Sequence, residues 1–280
     1  MLKTQLGLLA PGQRLSERLP IGDLEVIRTA PRQRFVDFYN AYYRPSRATF
    51  IAVGDFDVDA MEAKVRGAFE SWTPKAADGA EPDLGQVAPR EPETRIQVEP
   101  GVPSSIQLNW ITAPDTDPDT VAERAESIRR GLGLAVLNRR LGEIARADNA
   151  PFLGAGGSYQ TLFDSLSLGV LSVAFNQGAW KPALERVEQE SRRLAQYGVT
   201  DAELQREITE GRTALQNAVA TAATRSTPAL AAGLLNAVNE DDVFSTPATA
   251  LAIFDQTVEG LTADQVNTAV RAVFEGGGPL

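Results

Sequence analysis

Neither cysteine nor histidine occurs anywhere in the 280 residues. Whatever this chain folds into cannot be stapled by disulfides or by zinc held on Cys and His side chains. Its stability must come from a buried apolar core, and 43% hydrophobic residues at this length suffices for one large or two medium domains. The same absence restricts chemistry. A thiolate nucleophile, an imidazole general base and a Ser-His-Asp triad are excluded. No serine is followed three residues later by lysine, so the Ser-x-x-Lys nucleophile is excluded too. Carboxylates, Lys, Tyr and Arg remain, and the chain reads as less than a complete enzyme.

Acidic residues outnumber basic ones, 37 to 27, for a formal charge of −10. That argues against nucleic acid as a partner, since non-specific binding needs dense Lys/Arg surfaces. No apolar run approaches the ~20 residues that span a bilayer, so no membrane partner is expected. The apolar stretch within Met1–Ala10 is too short for a signal peptide and reaches Pro11-Gly12 without a small-x-small cleavage site.

Residues 1–30 read as irregular, punctuated by Pro11, Gly12, Pro20 and Gly22. Phe35, Phe38, Tyr39 and Tyr42 then fall at i, i+3, i+4, i+7, predicting a helix over 32–43 with a core-facing aromatic side. Pro45 stops it, residues 48–54 read as a buried strand, and Val58, Met61, Val65, Phe69 and Trp72 share one stripe of a second helix. Residues 74–93 lose all periodicity among repeated Pro and Gly and read as a linker. The expected organisation is thus 1–73, a linker over 74–93, and a main domain over 94–280.

In the main domain, 94–99 and 104–112 read as strands, 118–147 as a long helix with a break at Gly131–Gly133, and 155–163 and 168–176 as strands joined by a turn at 164–167. Helices follow over 179–196, from Thr200, and near 228–239, 247–260 and 262–275. Thr200/Glu203 and Thr262/Gln265 have the spacing of capping boxes. The fold class is α+β, a largely antiparallel sheet with helices packed on one face.

Candidate sites are few. Asp115, Asp117, Asp119 and Glu126 have part of the spacing of a calcium loop, but Thr120 stands where Gly is required; the better reading is a helix cap with Pro118 in the first turn. Asp55, Asp57 and Asp59 read as turn and cap. Gly154–Gly157 precedes a strand rather than a helix and reads as a bend beside a close neighbour, not a phosphate loop. Arg139, Arg140 and Arg146 on one helix could bind a carboxylate, or could be a salt-bridged face.

Taken together, Arg18–Gly22 (RLPIG), Phe38–Pro45 (FYNAYYRP) and Phe50–Asp57 (FIAVGDFD) resemble the insulinase/pitrilysin zinc metallopeptidases, peptidase family M16. Leu137–Arg146 (LNRRLGEIAR) resembles the "S-R-L-x-x-x-[IL]-R" helix of that family's inactive domain. Ala150–Gly154 (APFLG) resembles its long, secreted or periplasmic bacterial branch. The resemblance implies a LuxS/MPP-like metallohydrolase fold and a fragment comprising the end of a catalytic domain followed by the inactive domain. It implies no cofactor in this chain: the family's zinc sits on a His-x-x-Glu-His helix that a histidine-free chain cannot carry, so zinc is expected in a catalytic M16 domain of the same or a partner chain. The implied role is to help enclose and position unfolded peptide substrates, which add as a strand to a sheet edge; the alternative is a scaffold subunit of a separate active peptidase. Family members use an Arg and a Tyr seven residues apart to assist catalysis. Arg146 matches the Arg, while the Tyr position falls at Leu153 with Phe152 beside it, making Arg146 and Phe152 the substrate-assisting candidates. The helix–strand unit 32–54 recurs as helix 262–275 followed by Gly276–Leu280, where the strand should begin. The main sheet is therefore expected to have an edge in need of cover, by residues 48–54 in cis or in a swapped homodimer.

Overall fold

A computed structural model of the protein describes residues 2–280. Its elements run α1 (Leu2–Leu9), α2 (Arg14–Glu17), α3 (Leu24–Thr29), α4 (Arg32–Tyr42), α5 (Val58–Phe69), β1 (Ser105–Thr112), α6 (Val121–Ala145), β2 (Gly154–Leu162), β3 (Leu166–Ala174), α7 (Trp180–Tyr197), α8 (Asp201–Ala220), α9 (Thr227–Asn239), α10 (Pro247–Val258) and α11 (Ala263–Ala272). Contacts divide the chain into two units. One comprises the residues up to Glu17 with Leu84–Ala222 and Ser245–Leu280; the other comprises Arg18–Asp83 and Ala223–Phe244.

The larger unit is α+β. Its antiparallel sheet has the order β1-β3-β2, with Ser105 opposite Ala174 on one side of β3 and Gly154 opposite Ala174 on the other. Period-2 alternation sorts the strand residues into two faces. Leu108, Trp110, Leu171 and Val173 meet Leu137 and Leu141 of α6, Val187 of α7 and Val270 of α11 in the main core. Gly169 has no side chain on this face because the Val273 carbonyl lies where a Cβ would stand. The opposite face, with Ile111, Leu166 and Leu168, is closed by Leu9, Ala10, Val87 and Leu280. The long helices thus pack on one face, while the chain around the end of α1 covers part of the other. The central strand β3 is buried from both sides.

The expected break in the long helix does not occur. Gly133 sits where a side chain would collide with Val270, so it serves close packing of α11 rather than a kink. Thr120, not an aspartate, caps α6, its hydroxyl accepting the Glu123 N–H at 3.2 Å. Both capping boxes form, on α8 and α11. The β2–β3 turn holds Phe163 and Asp164 at φ 48° and 51°, left-handed values uncommon outside Gly, Asn and Asp.

Other expectations fail for identifiable reasons. Residues 1–30 are not irregular: Leu6 and Ala10 are buried at and just after α1, and Asp23 caps α3 by accepting the N–H groups of Glu25 and Val26. Residues 94–99 form no strand and pair with none among the described residues. Residues 48–54 likewise form no strand, and Gly277 and Leu280, not 48–54, pair with β1's edge.

The smaller unit consists of α3, α4, α5, α9 and their connections. Arg47 pairs with Asp78 and Glu81, and the Tyr42 hydroxyl donates to the Ala80 carbonyl at 3.1 Å. The aromatic side of α4 is not core. Phe35, Phe38 and Tyr39 are all more than half exposed, and the rings stack on each other instead, Phe38 on Tyr42 at 4.7 Å and Tyr39 on Tyr43 at 4.8 Å.

Candidate functional site

The sequence-selected residues cluster where α6 ends and the chain returns to β2. Arg146 caps α6 with its N–H on the Gly142 carbonyl (3.2 Å), and its side chain is exposed. Phe152 is 3% exposed and belongs to the main core, so its ring anchors the loop and offers no surface to a substrate. Its neighbour Leu153 is exposed while its N–H is held by the Ala174 carbonyl at 2.8 Å. Arg146 and Phe152 therefore stand on opposite sides of the protein surface, one in solvent and one in the core.

Arg139 and Arg140 are tied to α8. Arg139 binds Glu207 and Glu210. Arg140, 8% exposed, binds both Glu203 oxygens at 2.7 Å and the Gly198 carbonyl at 3.0 Å. The Arg140 guanidinium, with help from Thr200, holds the pKa of the Glu203 carboxyl down to about 2. These arginines are a salt-bridged face, not a receptor for an incoming carboxylate.

Along β2, α6 contributes two contacts that local reading of the sequence missed. Asn138 binds both backbone groups of Gly157: Oδ1 accepts the N–H at 2.7 Å and Nδ2 donates to the carbonyl at 3.0 Å. A side-chain amide here takes the place of a neighbouring strand. Two turns earlier on α6, Arg130 lies over the Tyr159 ring at 4.1 Å. The glycines of β2 permit this approach, since a Cβ on Gly157 would stand 3.0 Å from Leu137. The glycine run was the one local signal of it.

The acidic turn is spent on structure. Asp119 pairs with Arg124, the Asp117 N–H donates to Asp115, and Asp57 caps α5 by accepting the Ala60 N–H at 2.8 Å. Burial, with Asp115 nearby, pushes the Glu123 carboxyl up. Among the described residues no group of three or more His, Cys, Asp or Glu is arranged to hold a metal ion. No helix among them is long and apolar enough to cross a membrane.

The sequence profile described as "Peptidase M16 inactive domain" matches residues 29–210. The chain belongs to the peptidase M16 family, matching its inactive domain. It is 30% identical over 149 residues to "Zinc protease PQQL-like" of Arabidopsis thaliana, covering 52% of this chain and 15% of that protein. It is 46% identical over 46 residues to "Probable zinc protease PqqL" of Haemophilus influenzae, covering 16% of this chain and 5% of that protein. Its fold matches the crystal structure of the periplasmic protease PqqL from Escherichia coli, with a TM-score of 0.85 at 18% identity, over 98% of this chain and 30% of that one. The chain thus spans less than a third of the length of each of these relatives.

Proposed function

We propose that this chain is the non-catalytic part of an M16-type zinc metallopeptidase and that it helps enclose and position extended peptides for cleavage elsewhere. In this reading residues 1–73 close the preceding domain, 74–93 link, and 94–280 form the inactive domain, of LuxS/MPP-like type. Zinc belongs to a catalytic M16 domain of the same or a partner chain. The carrying observation is the combination of the family match with a chain that has no histidine, no cysteine and no carboxylate group arranged for a metal among its described residues. Arg146 is the exposed residue proposed to meet substrate; Phe152 holds the loop that follows it. The periplasm is the proposed compartment, on the likeness to PqqL.

The purified chain is expected to carry no stoichiometric zinc and to leave an unstructured peptide intact. The same chain joined to, or mixed with, its catalytic domain is expected to cleave that peptide in a chelator-sensitive way. Chelator-sensitive cleavage by this chain alone would refute the reading.

A further inference from the structure

The strand β2 is a sheet edge with no guard of its own. It pairs with β3 on one side only, and Gly154–Leu162 (GAGGSYQTL) contains no charged residue and no proline. Charge and proline are the usual means by which an edge turns further strands away. One contact identifies the groups that face outward. The Gly157 N–H donates to Asn138 Oδ1 at 2.7 Å, and the Gly157 carbonyl accepts from Asn138 Nδ2 at 3.0 Å, so both point away from β3. In an antiparallel strand every second residue points its N–H and C=O to the same side. The groups of Ala155, Tyr159 and Thr161 therefore face outward too, and among the described residues no hydrogen bond from another element reaches them there.

The guard comes from α6. Asn138 meets the edge near its middle and offers Gly157 one acceptor and one donor, as the backbone of an added strand would. Its side chain is exposed, yet its neighbours Leu137 and Leu141 are fully buried in the main core, so helix packing fixes where the amide stands. Two turns earlier Arg130 lies over the Tyr159 ring at 4.1 Å, a cation beside the next outward residue of β2. One helix thus sets an amide and a charge against successive outward positions of one strand. The approach depends on the glycines: a Cβ on Gly157 would stand 3.0 Å from Leu137, and one on Gly156 would stand 3.3 Å from Asn138 Oδ1. The residues that leave β2 uncharged are also those that let α6 come close enough to cover it.

We propose that Asn138 is an edge plug: it holds the place of a strand on β2, so that a second copy of this chain cannot add its own β2 there. Two such strands pairing antiparallel about a two-fold axis are self-complementary, since each offers the other the same row of N–H and C=O groups. An entering copy must break both Asn138 bonds to pair with Gly157, or leave its ladder interrupted at the middle. The device belongs to this sheet whatever the parent protein cleaves.

The test compares wild type with Asn138→Ala by sedimentation over a range of protein concentrations, with amide hydrogen exchange at Gly157, Tyr159 and Thr161 read on the same samples. Alanine favours helix at this exposed position, so the fold is expected to be retained, and unchanged protection of α6 checks it. Wild type is expected to exchange fast at Tyr159 and Thr161 at every concentration. Asn138→Ala is expected to self-associate at least tenfold more tightly, and to gain protection at all three amides only as concentration rises. Thr161→Pro added to Asn138→Ala removes one outward N–H without removing a bond to β3, and is expected to return association to the wild-type level. Asn138→Asp keeps an acceptor for the Gly157 N–H and puts a charge on the edge, and is expected to associate no more tightly than wild type. Equal association of wild type and Asn138→Ala, association that survives the proline, or tighter association of the aspartate variant would each overturn the proposal. Loss of α6 protection in Asn138→Ala would overturn it as well, by making Asn138 a requirement of folding instead of a guard.

Discussion

The Arg140–Glu203 pair predicts a defined share of this protein's acid sensitivity. The pKa of the Glu203 carboxyl lies at about 2 against an ordinary value of 4.5, first because of its bonds to Arg140 and then those to Thr200. A tenfold change in proton affinity corresponds to about 1.4 kcal/mol, so ionised Glu203 stabilises the fold by about 3 kcal/mol at neutral pH. Its side chain is 26% exposed, and solvent screening brings the expectation toward 2 kcal/mol. The folded pKa is depressed, so between 4.5 and 2 the unfolded chain binds more protons than the folded one. The contribution is whole above pH 4.5 and drains away as pH falls toward 2. Glu203→Gln keeps an oxygen for the Thr200 N–H but loses the charge. Urea unfolding of wild type and Glu203→Gln is therefore expected to differ by about 2–3 kcal/mol at pH 7 and by less than about 1 kcal/mol at pH 2.5. A difference that stays constant across that range would show that the pairing does not hold the carboxyl down, and would refute the reasoning.

Three other perturbations test the packing and the proposed contact. Asn138→Ala removes both partners of Gly157 and is expected to cost about 1–2 kcal/mol in urea unfolding, with faster amide exchange at Gly157. Phe152→Ala empties a site in the main core and is expected to cost about 3–5 kcal/mol, read as a lowered thermal midpoint. Arg146→Ala, at an exposed helix end, is expected to change stability by less than about 0.5 kcal/mol while slowing peptide cleavage in the assembled peptidase.

Much of the larger unit was legible because its signals are local. The alternation of Ile106, Leu108 and Trp110, the turn before Leu166 and the capping boxes at Thr200 and Thr262 each act within a few residues. The failures have one physical origin, in that the deciding partner lies far along the chain. Residues 48–54 and 94–99 carry strand composition, but a strand exists only when another strand pairs with it. Gly131 and Gly133 read as a break because nothing nearby reveals Val270. Arg139 and Arg140 left two readings open until α8 supplied its glutamates. At the candidate site, the position of Arg146 at a helix end was legible, whereas the burial of Phe152 depended on strands and helices that close over it later.

The hold of Gly277 and Leu280 on β1 also shapes how this protein is made. On the ribosome β1 emerges long before the residues that cap its edge, and the helices in between must be synthesised first. Throughout that interval a nascent chain shows an open strand edge to its surroundings. Holdase chaperones should find their footing there, and slowing translation ahead of residue 277 should raise aggregation more than slowing it earlier.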